Sequence, residues 1–305
     1  MSENFLARLP LSRYAVDRDY LARDNEHLFD ELWADAATRV LPIFQGSALL
    51  STPDALALVK PAAVPPAELL VYLGRSLDPE SPEPVGTPVV AALLGDAGHL
   101  AEAEWGNLRS LGSRLSDRDT GLFTEALGIL NWHASHGFSP RTGVATTVGK
   151  GGWVRVDPTN GSEIYPRTDA AIIVGIIDAD ERILLGSNAL WERNRYSLLA
   201  GFVEPGESLE AAVIREVYEE SGMRVTDPVY LGSQPWPFPA SLMLGFTARL
   251  DDTLESTLTP DGAEILDLRW FSRSELQAAL GDIQLPGHTS IARAILEQWY
   301  GGAIE

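Results

Sequence analysis

Apolar and polar positions alternate with different periods along this 305-residue chain, and the changes of period mark its parts. Two short apolar runs, "ELLVYLG" and "PVVAALLG", read as strands. The proline-rich stretches "PAAVPP" and "DPESPEP" punctuate the same region as turns. With helical stretches between them, residues 1–115 are expected to form an α+β domain that carries no evident chemistry. At Ser116 the period becomes helical. In "SDRDTGLFTEALGILNWHASHG" a capping serine precedes a stripe of Leu122, Phe123, Ala126, Leu127 and Leu130. His133 and His136 follow, and an H-x-x-H metal pair is one reading of them. Histidines at a fraying helix end are the other and the preferred one, because positive groups suit that end of the helix dipole. From Thr168 onward strand patterns alternate with helices: "AAIIVGIID", "ERILLGS", "PVYLG", "SLMLGFTARL" and "EILDLRWFS", then a last helix from about Thr289.

Within that last region, "REVYEESG" (residues 215–222) places Glu216, Glu219 and Glu220 at i, i+3 and i+4, so three carboxylates stack on one side of a helix and repel. A solvated helix face explains such spacing by itself. It does not explain the surroundings, "GFVEPGESLEAAVIREVYEESGM", in which Gly201, Glu207, Arg215 and Gly222 stand at fixed distances from the glutamates. Gly201 and Gly206 flank a tight loop and permit positive φ or close approach to a ligand. Ser208 is a helix N-cap, the helix runs over residues 209–221, and Gly222 stops it as a left-handed C′ residue. The clustered carboxylates call for a hard divalent cation such as Mg²⁺ or Mn²⁺. Arg215 cannot ligate a metal and is expected to pair with Glu207, locking loop to helix. A metal-bearing carboxylate cluster beside a glycine loop suits diphosphate hydrolysis, in which metals neutralise phosphate oxygens and acidify an attacking water.

Residues 201–223 resemble the full Nudix box, found in hydrolases of nucleoside diphosphates linked to another moiety. Ten residues on, "SQPWPFPASLM" alternates three prolines with Trp236 and Phe238, a stiff extended loop that presents its aromatics for ring stacking, with Gln234 and Ser241 as hydrogen-bonding groups. Packing of the aromatics into the core is the bland alternative. This stretch is similar to the motif that follows the box in NADH pyrophosphatases, and "LRSLGSRLSDRD" and "NWHASHGF" are similar to that family's linker helix. The resemblance implies a Nudix α/β/α sandwich with a mixed sheet over residues 168–305, an α+β domain before it and a linker segment at 116–167. It implies Mg²⁺ or Mn²⁺ ligation by Glu216, Glu219, Glu220 and Glu264, with Asp261 and Asp267 as near competitors for the last place. It also implies Glu219 or Glu220 as the base, ring stacking by Phe202, and a homodimer in which Tyr165 and Ala292 line the partner subunit's site. The implied reaction cuts NADH or NAD to nicotinamide mononucleotide and AMP, with NAD-capped RNA as a further substrate. The alternatives are a broader hydrolase of ADP-ribose or diadenosine polyphosphates and a non-catalytic NAD-sensing regulator.

The departure from the family falls at residues 139–160. Where the family carries a zinc ribbon of two C-x-x-C pairs, this chain has "FSPRTG" and "VDPTNG" and no cysteine at all. Ser139, Thr142, Asp157 and Asn160 are poor zinc ligands together, so no structural zinc is expected and the four are read as turn formers. Composition narrows the rest. Apolar content of 45% and charged content of 22% are those of an ordinary globular chain. A net charge of −20 argues against non-specific nucleic-acid binding. The N-terminus has no apolar core for a signal peptide and no run reaches membrane-spanning length, so a cytoplasmic location without membrane contact is expected.

Overall fold

The computed structural model describes residues 5–251, 253–254 and 256–305. Packing divides them into two units: Arg13–Thr168 with Trp236–Ala240, and the residues up to Ser12 with Asp169–Pro235 and Ser241–Glu305. The linker helix and the ribbon-like segment therefore belong to the same unit as the N-terminal α+β region. The segment before Arg13 joins the other unit, where Phe5 and Leu9 enter its core.

The unit Arg13–Thr168 is built on a seven-stranded sheet. Its order is Val16–Asp17, Ala67–Ser76, Pro88–Leu94, Arg39–Phe44, Ser47–Thr52, Ala55–Leu56, with Trp105–Asn107 also on Ser47–Thr52. The two strands read from the sequence are Ala67–Ser76 and Pro88–Leu94. The helix Asp117–Ser135 is capped by the Ser116 hydroxyl and buries the expected stripe of Leu122, Phe123, Ala126, Leu127 and Leu130. His133 departs from expectation. It is buried at the helix end, with Nε2 2.7 Å from the Gly152 carbonyl and Nδ1 3.0 Å from Arg155, so it is a packed tie and not a fraying end group. Burial holds its pKa below the ordinary imidazole value.

Past that helix, Thr147–Gly149, Val154–Val156 and Glu163–Ile164 form a small antiparallel sheet. The four residues that replace ribbon cysteines close its turns by hydrogen bonds. Thr142 N–H donates to Ser139 Oγ at 3.3 Å, Thr142 Oγ1 donates to the buried Asp157 carboxylate at 2.6 Å, and Asn160 Oδ1 accepts from Ser162 N–H at 2.8 Å. Thr159 adds two further bonds to Asp157, from its N–H and its hydroxyl. Val154 is buried and Trp153 half-buried, and Trp153 Nε1 donates to the Tyr72 carbonyl at 2.8 Å.

The second unit is a three-layer α/β/α sandwich. Its mixed sheet runs Val225–Trp236, Ser241–Leu250, Asp169–Ile177, Ile183–Asn188, Ile265–Phe271, with Leu199–Phe202 also paired to Asp169–Ile177. Asp169–Ile177 lies parallel to Ser241–Leu250 and antiparallel to Leu199–Phe202. Its side chains alternate between two cores, as a doubly covered strand requires. Ile172, Val174 and Ile176 meet Ala212, Val213 and Val217 of the helix Leu209–Ser221. Ile173 meets Ile291, Ile295 and Leu296 of the C-terminal helix Ile291–Tyr300. A further helix, Arg273–Ala279, escapes the sequence reading, although Ser272 and Glu275 form a full capping box at its start. Among the described residues no helix is long and apolar enough to cross a membrane.

Candidate active site

The helix Leu209–Ser221 carries the carboxylate cluster. Ser208 caps it through Ala211 N–H, and Gly222 ends it in the left-handed region at φ 68°. Leu209, Ala212, Val213 and Val217 turn toward the sheet, which leaves Glu216, Glu219 and Glu220 along one flank. Gly201 explains itself here. A Cβ at that position would stand 2.0 Å from the Glu216 carboxyl carbon, so the close approach the glycine permits is that of Glu216 to the strand Leu199–Phe202.

Arg215 is the hub of the loop–helix junction. It donates to both oxygens of Glu207, as expected, and Glu207 in turn accepts from Glu204 N–H at 2.8 Å, closing the loop. It also reaches Glu216 and Glu219, each at 2.9 Å, and the Phe202 carbonyl at 3.0 Å. The sequence reading missed these three contacts, because they depend on how the loop folds back. The Arg215 guanidinium beside it holds Glu207 below the usual carboxylate range.

Glu220 is buried, and one of its oxygens has no hydrogen-bond partner. Burial first, then the carboxylates of Glu216, Glu264 and Asp261, push its pKa up to about 8. Burial likewise raises Glu216, with Glu219 and Glu264 adding to it and Arg215 opposing. Among the described residues no three acidic or histidine side chains close on a single point as a ready-made ligand set. The donor chemistry nevertheless fits a hard divalent cation: all-oxygen groups, mutually repelling, with a buried unpartnered oxygen among them. Of the three candidates near the final strand, Asp261 accepts N–H bonds from Ala263, Glu264 and Ile265 and so shapes the turn. Asp267 takes the Tyr196 hydroxyl. Glu264 stays exposed, and its charge is felt at both Glu216 and Glu220.

The expected substrate readers are placed less uniformly. Phe202 ends its strand and is 60% exposed. Tyr165 is equally exposed, its hydroxyl donating to Glu163 at 2.6 Å. Ser241 is half-buried at the first position of its strand. Two further residues are closed in. Gln234 is fully buried, its amide accepting from Leu11 N–H and donating to the Thr289 carbonyl, so it ties the unit together. Ala292 is 2% exposed, its methyl in the core beside the C-terminal helix. The proline-rich stretch is also less of a loop than expected. The strand Val225–Trp236 runs through Pro235, which an edge strand tolerates, and only residues 237–240 form the turn. Trp236 and Phe238 pack edge to face, centroids 4.9 Å apart, with the Arg109 guanidinium 5.2 Å and 4.0 Å from the two rings.

Residues 166–293 match the NUDIX domain, and residues 37–132 match the NADH pyrophosphatase-like rudimentary NUDIX domain. A protein of Mycobacterium bovis named "NAD-capped RNA hydrolase NudC" is 42% identical over 95% of this chain and 94% of its own length. Its namesake in Mycobacterium tuberculosis is 41% identical over the same shares. The chain belongs to the NudC family of Nudix hydrolases. A human protein named "NAD-capped RNA hydrolase NUDT12" is 36% identical over 61% of this chain and 43% of its own length. The second match makes the α+β sheet before the box a rudimentary Nudix domain, a relation that the sequence reading did not foresee.

Proposed function

We propose that the chain hydrolyses the diphosphate of NADH and NAD to nicotinamide mononucleotide and AMP, and removes NAD caps from RNA, where the same diphosphate recurs. The observation that carries this is the 42% identity, along 95% of the chain, to a NudC protein named as an NAD-capped RNA hydrolase. The intact carboxylates speak against a non-catalytic NAD sensor, and the proline-aromatic stretch against a broad nucleoside-diphosphate hydrolase. Glu216, Glu219, Glu220 and Glu264 would hold Mg²⁺ or Mn²⁺, which when bound neutralises diphosphate oxygens and acidifies a water. Glu219 or Glu220 takes the proton of the attacking water on a carboxylate oxygen. Arg215 and Glu207 hold the glycine loop against the helix. Phe202 stacks on a substrate ring, and Trp236 and Ser241 orient the dinucleotide. The working form is a cytoplasmic homodimer in which Tyr165 serves the partner subunit's site. With a net charge of −20, the chain has little to hold an RNA body, so recognition centres on the cap.

Product analysis with NADH, NAD, ADP-ribose and NAD-capped RNA, each with Mg²⁺ or Mn²⁺, tests the reading. Nicotinamide mononucleotide is the expected product from the first two, and a monophosphate RNA end from the capped RNA. Faster turnover of ADP-ribose than of any NAD-bearing substrate would replace it with the broad hydrolase, and no turnover at all with the regulator.

A further inference from the structure

The turn that follows Trp236 has an unusual hydrogen-bonding problem. Pro235, Pro237 and Pro239 have no N–H, so the stretch is rich in carbonyl acceptors and poor in donors. Phe238 N–H turns back on the Trp236 carbonyl at 2.7 Å and cannot serve elsewhere. The missing donors come from one side chain. Asn131, near the end of the helix Asp117–Ser135, donates its Nδ2 hydrogens to the Pro237 carbonyl at 2.9 Å and to the Pro239 carbonyl at 3.0 Å. These two acceptors bracket Phe238, so one amide fixes the backbone on both sides of that ring. Asparagine is a weak helix former in a helix interior, and this pair of bonds gives it a reason to be there. The Arg109 guanidinium, 4.0 Å from Phe238, restrains the same ring from its face.

We propose that Asn131 is a positioning residue of the aromatic turn Trp236–Ala240, and that it sets the preference for nicotinamide-bearing substrates by fixing Phe238 and Trp236. The inference rests on the reading that this turn recognises the dinucleotide. Asn131 touches no reacting atom. It acts by supplying two donors to a segment that has almost none, and so removes the ordering cost that a loose turn would impose at binding.

The test compares kcat and KM for NADH and for ADP-ribose, which has the same diphosphate and adenosine but no nicotinamide. Asn131→Ala removes both donors. Asn131→Asp keeps the shape but turns a carboxylate toward two carbonyls. For both variants the ratio of kcat/KM for NADH to that for ADP-ribose should fall about tenfold, mainly through KM for NADH, with kcat within about threefold. Asn131→Gln, which retains two donors, should recover most of the ratio. A general loss of folded protein lowers both substrates alike and leaves the ratio unmoved, and if the Asp variant does not fold, the Ala variant decides. Trp236→Ala and Phe238→Ala serve as references. If these shift the ratio and Asn131→Ala does not, the positioning role is overturned while the turn's role stands. If neither set moves it, the turn does not read nicotinamide and both readings fall.

Discussion

Arg215 and Glu220 divide the work of the box between charge neutralised and charge left over. Arg215 satisfies Glu207 and reaches one oxygen each of Glu216 and Glu219, whereas Glu220 is buried with an oxygen unpartnered. A buried carboxyl among carboxylates stays protonated near neutral pH unless a cation compensates its charge, and a bound divalent cation would do so. Glu219→Gln and Glu220→Gln should therefore each lower kcat about 10²-fold or more with the fold retained. Near-normal turnover of both, with Mg²⁺ and with Mn²⁺, would sink the proposed chemistry. Phe202, with its ring exposed beside this cluster, should contribute stacking: Phe202→Ala is expected to weaken NADH binding by about 1–3 kcal/mol, measured by titration of an inactive Glu220→Gln background. At this scale the sequence was legible wherever local spacing decided the geometry, as for Glu216, Glu219 and Glu220 along the helix and for the Arg215–Glu207 pair between helix and loop. It was illegible where the partner is remote in sequence. Nothing local to Gln234 shows that its amide bonds to Leu11, 223 residues away, and to Thr289, 55 residues away.

Among the elements, caps were legible and distant ties were not. Ser116, Ser208 and Gly222 mark helix ends by local chemistry, and the structure uses all three. The Ser272–Glu275 capping box was just as local, and marks a helix that periodicity over only seven residues did not reveal. The ribbon-like segment is the instructive case. Its small sheet has little core of its own, and its turns converge on Asp157, which accepts from Thr142 Oγ1, Thr159 Oγ1 and Thr159 N–H. Those donors, Thr142 first, hold its pKa well below the usual carboxylate range. A depressed folded-state pKa means stability that is fully present above the unfolded value, about 4, and lost as pH falls through the folded one. Asp157→Asn should lower the melting temperature at pH 7, and the gap to the parent should narrow as pH falls below about 4. A gap that stays constant down to pH 2 would show that the charge at Asp157 is not what closes the turns. The same hydrogen-bonded closure predicts that purified protein holds no stoichiometric zinc, and that melting temperature and activity survive a zinc-stripping chelator once Mg²⁺ is restored. About one tightly held zinc per chain by elemental analysis would contradict it.

For the molecule as a whole, the question is whether one chain is a complete enzyme. The proposed homodimer assigns the exposed Tyr165 to the partner subunit's site, while the box carboxylates stay with their own chain. Two defects in different chains then complement, because a mixed dimer sorts them. In a dimer of one Glu220→Gln chain and one Tyr165→Ala chain, one site receives both substitutions and the other receives neither. Tyr165→Ala must first be shown to cost at least about tenfold in kcat/KM for NADH, which is the loss expected of a ring that contacts substrate across the interface. The two variants, each weakly active alone, are then mixed in equal amounts under conditions that exchange subunits. Random pairing makes half the dimers mixed, so about a quarter of all sites are restored, and activity should rise to about a quarter of the unmodified enzyme's. Sedimentation of the unmodified protein should give the mass of two chains across the assay concentrations. If Tyr165 serves its own chain, mixing restores nothing, since every box with an intact Glu220 then belongs to a chain without the tyrosine. A monomer by sedimentation with full activity would refute the shared site outright, and Tyr165 would then be a surface residue tied only to Glu163.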